Sequence, residues 1–290
     1  MKVNKIVVGL LVILAAIVAP NVLASKDSNS NVIILTKDNL LTLNSEVNGD
    51  SVSAVIAKAK SLDAKLSGKR FNKKDSPHYL FLNTPGGSIQ SGLELIEDLQ
   101  GIGRKTNTIT LFAASMGWQI AQGLGDRLIL KNGVLMSHRA AGEMQGSFGG
   151  TRPSQMDNRY QLWLDRVKEL DEQTVSRTNG KQTYKSYTEQ YQNEMWLTGT
   201  KSVEQGYADR VVLVKCDASL NGVTTNHASF MGLDIEYDLD LCPINTSPMN
   251  IRIGGGAGGD ASNKELVAEA KSKFLSQFYN KQKQIVPTYW

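Results

Sequence analysis

Short apolar runs that alternate with stretches of helical spacing constrain this chain more than any other feature. HYLFLNTPGG, 78–87, reads as a buried strand ending in a Pro-Gly-Gly turn, and Ser88 then caps a helix through Leu99. TITLF, 108–112, is the next strand, and Ser115 to Gly123 the next helix. Upstream, VIILT, 32–36, and LLTLN, 40–44, read as short strands. Between them and His78, residues 51–66 carry Val52, Val55, Ile56, Ala59 and Leu62 at helical spacing. DRLILKNGVLMSH, 126–138, predicts two short strands around an Asn-Gly turn. Strands alternating with helices imply βαβ units and parallel pairing, so the fold class is α/β.

The second half is less regular. AAGEMQGSFGG, 140–150, is a Gly-rich connector, and Ser154 to Arg177 predicts a long helix. Its stripe of Met156, Tyr160, Trp163, Val167 and Leu170 suits a core or an oligomer face better than a cofactor site. A shorter helix is expected over 184–194, then WLTGTKSVEQGYADRVVLV, 196–214, as turn, helix, turn and strand. After Cys216 the pattern weakens. GGGAGGD, 254–260, reads as a flexible linker, followed by an amphipathic helix over 263–279 with Leu266, Val267, Ala270, Phe274 and Phe278 on its apolar side. The linker lets that helix move, so it is expected to dock on a partner surface instead of on its own chain.

The N-terminus has the order of a secretory signal peptide. Lys2 and Lys5 precede an apolar run from Ile6 to Val18, and Val22-Leu23-Ala24 places small residues before a cut at Ser25. Export to the periplasm or medium is therefore expected, with membrane attachment only if the segment stays uncleaved. In that setting the two cysteines, Cys216 and Cys242, are expected to form a disulfide. The net charge of +4 is spread along the chain with no like-charged block, which argues against nucleic acid as a partner. GRKT, 103–106, and GGGAGG, 254–259, lack the context of phosphate-binding loops. No cofactor and no metal site is expected.

Acyl transfer by serine needs a base within reach and donors for the oxyanion. Ser115 lies in AASMG where a buried strand gives way to a helix, and His138 ends another strand. Strand ends of a parallel sheet gather on one edge, so the two can meet there. His78 enters a buried strand and reads as structural, and His227 sits in the weakly patterned C-terminal part.

Residues 78–214 resemble the proteolytic subunit of the Clp endopeptidases. NTPGGSIQSG is similar to that family's Asn-Ser-Pro-Gly-Gly turn, and AASMG matches its nucleophile segment. LMSHRAAGEMQG resembles its histidine segment and WLTGTKSVEQGYAD its closing segment. The resemblance implies a ClpP/crotonase-type ββα spiral with a helical arm and here a C-terminal extension. It implies Ser115 as nucleophile, His138 as general base, and the N–H groups of Gly87 and Met116 as oxyanion donors. It also implies a homo-oligomeric ring interlocked through the 154–177 helix, and peptides or unfolded chains as substrates. The family's aspartate is the point of departure. Counting back from Trp196, its position holds Gln190, with Glu189 and Glu194 as the nearby carboxylates. The third member is thus Gln190, Glu189 or Glu194, or the centre is a Ser-His dyad, or the fold is inactive.

The expected organisation is a signal peptide over 1–24 and a peptidase domain over 25–214. An extension with the disulfide follows over 215–253, then the linker, 254–260, and a helix and tail over 261–290. The expected activity is that of an ATP-independent serine endopeptidase outside the cytoplasm. Its rivals are a non-catalytic assembly or binding protein on the same fold and a crotonase-like acyl-CoA enzyme.

Overall fold

Alternation along β3 (His78–Thr84) sends Leu80 and Leu82 to one face of a sheet and Phe81 to the other, and all three are buried. A strand buried on both faces belongs to a sheet covered on both sides, which is why its sequence is a continuous apolar run. The structure, a computed structural model, describes residues 31–66, 76–141, 153–255 and 264–283. The expected signal segment, most of the Gly-rich connector and residues 256–260 of the expected linker lie outside the described residues.

The main sheet runs in the order β1 (Val32–Leu35), β7 (Arg210–Cys216), β5 (Arg127–Ser137), β4 (Thr106–Ala114), β3, β2 (Leu40–Leu43). Every pair along this path is parallel, and β6 (Met195–Thr198) adds antiparallel to the end of β5. The helices α1 (Gly49–Leu66), α2 (Ile89–Gly101) and α3 (Met116–Gly123) are the connections that parallel pairing demands. Ser88 caps α2 by accepting from the Ser91 N–H at 3.2 Å. One core joins α1, α2 and α3 to the sheet through Leu62, Leu82, Leu95, Leu99, Trp118 and Ile120, and a second lies under Phe81, Ile109, Leu128 and Val212.

Three expectations are corrected. Asn132-Gly133 is not a hairpin turn, because β5 runs straight through it as one strand. Along the β4–β5 ladder, β4 advances from Thr110 to Phe112 while β5 advances from Ile129 to Val134, so the dipeptide lies in a bulged, irregular stretch of the ladder. A Cβ on Gly133 would lie 2.5 Å from the Thr110 carbonyl oxygen, which is the reason for glycine there. Beyond the bulge β5 swings away from β7 to pair with β6.

The weakly patterned segment after Cys216 is ordered. It folds as a three-stranded antiparallel sheet of β8 (Val223–Phe230), β9 (Leu233–Asp240) and β10 (Met249–Gly255). Gly254 and Gly255, expected as the start of the linker, pair with Asp234 and Leu233. The last helix, α7 (Lys264–Lys283), packs on this sheet and not away from its own chain. Phe274 meets Tyr237 and Phe230 with ring centroids 5.2 and 6.5 Å apart, and Ala270 is buried. The sheet offers an aromatic face close by, and Phe274 packs on it. Cys216 and Cys242 form the expected disulfide, tying the end of β7 to the segment beyond β9.

Candidate active site

The site grows from the end of β4. Ser115 donates its N–H to the Met136 carbonyl of β5 at 3.0 Å, and α3 begins with the next residue. Its φ is 54° and its ψ −119°, a backbone state that costs a non-glycine residue roughly 1–3 kcal/mol. The surroundings hold it there. A Cβ on Gly86 would lie 2.7 Å from Ser115 Cβ and 2.8 Å from Met116 N, so the Pro-Gly-Gly turn can press against the serine only without a side chain. Gly87, at φ 144°, pairs with Val47, and the Ser88 N–H donates to the Val47 carbonyl at 2.8 Å.

Below the serine, α3 is anchored on aromatic rings. Trp118 is fully buried, with the Tyr207 ring 4.9 Å and the Tyr187 ring 6.1 Å away. At the far end, Arg177 donates to the carbonyls of Gln122, Leu124 and Gly125. A guanidinium there satisfies carbonyls that the helix leaves open and complements its dipole. Arg177 follows α4 (Pro153–Ser176) directly, so this contact fixes the crossing of α3 and α4.

One cavity gathers the predicted groups. Gly87, Ser115, Met116 and His138 all line it, with Ile89, Gln119, Ser137, Val167, Leu170 and Asp171 among the other walls. No hydrogen bond joins Ser115 Oγ to His138 in this structure. The N–H groups of Gly87 and Met116 donate to no acceptor among the described residues, and so are free to receive an anion. The other histidines lie elsewhere. His78 is fully buried, and burial lowers its pKa to about 4, with Arg104 acting in the same direction. His227 is exposed on β8, 3.9 Å from Glu236.

Gln190, Glu189 and Glu194 do not line the cavity. Gln190 lies on α5 (Tyr184–Tyr191), where its amide donates to Gln182 Oε1 at 2.9 Å and accepts from the Tyr207 hydroxyl at 3.3 Å. Glu189 pairs with Lys185 at 3.8 Å, and Glu194 accepts from Trp196 Nε1 at 3.1 Å.

The carboxylate that does line the cavity is one sequence reasoning passed over. Asp171 is only 4% exposed and accepts from the Tyr191 hydroxyl at 2.5 Å. Burial raises its pKa to about 6, partly offset by the Tyr191 bond. Beside it, Ser137 Oγ and the Tyr187 hydroxyl lie 2.9 Å apart, and Thr174 donates to Gln119 at 3.3 Å. The sequence held one weak sign: Asp171 falls four residues after Val167 and next to Leu170, on the flank of the apolar stripe.

A mostly parallel sheet with a serine at a strand-to-helix switch and a histidine across the same cavity defines an α/β chain organised as the Clp-type hydrolases are. The Clp protease family model matches residues 24–215, and the chain belongs to that family. It is 31% identical over 181 residues to the ATP-dependent Clp protease proteolytic subunit of Streptococcus mutans, covering 61% of this chain and 86% of that protein. The subunit of the same name from Streptococcus agalactiae is 29% identical over the same shares. The β8–β10 sheet and α7 lie beyond the family match.

Proposed function

We propose that this chain is a serine endopeptidase in which Ser115 attacks the scissile carbonyl and His138 takes its proton. The observation that carries the reading is the strained backbone of Ser115, held at the mouth of a helix in a cavity that His138, Gly87 and Met116 also line. A residue forced to positive φ persists where its surroundings over-determine it, and such strain clusters at reacting groups. As the tetrahedral intermediate forms, the N–H groups of Gly87 and Met116 receive the oxyanion, aided by the positive end of α3. His138 then returns the proton to the leaving amine, and water repeats the cycle on the acyl-enzyme. The positions of Gln190, Glu189 and Glu194 outside the cavity favour a Ser-His dyad over a triad built from any of them.

The enzyme acts after export, once the segment over 1–24 is removed, and works without ATP. Its substrates are peptides or unfolded chains. It assembles as a ring through α4, whose first turns leave Tyr160 and Leu162 exposed to a neighbouring copy.

A fluorophosphonate probe tests the chemistry. Full-length protein is expected to label at Ser115, with Ser115→Ala unlabelled. Equal labelling of both proteins would show that Ser115 is not the nucleophile, and no labelling of the wild type would favour a non-catalytic binding protein on this fold.

A further inference from the structure

Among the described residues Asp171 is a buried carboxylate with no paired cation. Its Oδ2 has the Tyr191 hydroxyl, and no Lys, Arg or His among the described residues pairs with it. A carboxylate taken out of water is costly unless a charge or several donors compensate it. One hydroxyl leaves most of that cost standing, so among the described residues the acid beside Ser115 is largely uncompensated.

Apolar walls from Ile89, Met116, Val167 and Leu170 share the cavity with polar ones such as Gln119 and Ser137. Val167, Leu170 and Asp171 stand at i, i+3 and i+4 of α4, one face of a helix. Met116 and Gln119, at i and i+3 of α3, line the same cavity, as does Ile89. Ser115 and His138 stand at the same cavity. A side chain entering beside the scissile bond would meet the apolar surface of Ile89, Met116, Val167 and Leu170 and, in the same cavity, the carboxyl of Asp171. Lysine and arginine suit both, with an apolar stem and a cationic head.

We propose that Asp171 is the specificity residue of this cavity, pairing with a lysine or arginine side chain of the substrate on the acyl side of the cleaved bond. The assignment rests on the peptidase reading above. The substrate's cation supplies the counter-charge that no described residue provides. A neutral side chain leaves the carboxylate buried and unpaired, and that penalty is what makes polar sites selective.

The test uses full-length protein and peptide nitroanilides that differ only in the residue before the cleaved bond: lysine, arginine, leucine, alanine or glutamate. At pH 8 kcat/KM is expected to be ~100-fold or more higher for lysine and arginine than for leucine. Asp171→Asn should collapse the lysine-to-leucine ratio by about that factor, and Asp171→Glu should keep a basic preference. Fluorophosphonate labelling of each variant is followed in parallel. A wild type that labels at Ser115 but prefers leucine or alanine overturns the specificity and leaves the peptidase reading standing. So does an Asp171→Asn protein that loses rate on all substrates alike, which would make the carboxylate a positioning group for His138. Failure of the wild type to label or cleave overturns both.

Discussion

Ser115 and Asp171 show how single residues are held in states that cost free energy. Ser115 keeps a φ of 54° because Gly86 leaves room beside it and Met136 accepts its N–H. Asp171 carries the other cost, and its sign can be worked out. Its carboxyl ionises near 4 in an unfolded chain and near 6 in the fold. Between those values the folded chain binds more protons than the unfolded chain, so stability falls as pH rises through that window and stays lower above it. Asp171→Asn removes the ionisation. It is expected to raise the unfolding free energy by roughly 2–3 kcal/mol at pH 8, and by little at pH 3.5 where both states are protonated. Urea unfolding at the two pH values checks this, and an equal change at both would mean that the carboxyl is not desolvated.

At the scale of elements, α3 is the piece on which the site depends. Trp118 fixes its middle among Tyr187 and Tyr207, and Arg177 closes its C-terminal end. Replacing Arg177 by methionine leaves the carbonyls of Gln122, Leu124 and Gly125 without that donor. Arg177→Met should therefore lose roughly 2–4 kcal/mol of stability by urea unfolding. Because the same contact sets the crossing of α3 and α4, labelling of Ser115 by fluorophosphonate should slow as well. Full stability in the variant would mean that water replaces the guanidinium at no cost. The strand-helix alternation made α3 legible in advance, since AASMG stands between an apolar run and a helical one. Its aromatic support was not legible, because Tyr187 and Tyr207 come from segments far along the chain.

At the scale of the whole molecule, the family-like part and the C-terminal part fall in one compact unit, yet each packs mainly on itself. The β8–β10 sheet and α7 make their main contacts with one another, and the Cys216–Cys242 bridge ties them to β7. Deleting residues 256–290 removes α7 and uncovers Tyr237 and Phe230. Amide exchange across β9 should then rise by at least ~10-fold, while exchange in β4 and labelling of Ser115 stay close to wild type. Faster exchange in β4 to the same degree would show that the two parts unfold as one unit. Reducing the disulfide should act on the same region, since opening the loop it closes lowers stability by about 3 kcal/mol.

By itself the sequence determined the α/β alternation, the parallel order that such connections require, the cap at Ser88 and the pairing of two cysteines. These rest on short-range periodicity and on residue chemistry that does not depend on distant neighbours. It also singled out Ser115 and His138 as residues at strand ends, and the resemblance to the Clp proteolytic subunit added Gly87 and Met116. Tertiary structure alone decided that Asn132-Gly133 is a bulge, since the Thr110 carbonyl that excludes a side chain there belongs to another strand. It decided that α7 packs on its own sheet, because that sheet's aromatic face exists only once β8 and β9 have paired. And it decided which acid faces the cavity. Gln190, Glu189, Glu194 and Asp171 are alike as polar helix residues in the sequence, and only the crossing of α4 over α3 buries one of them beside Ser115.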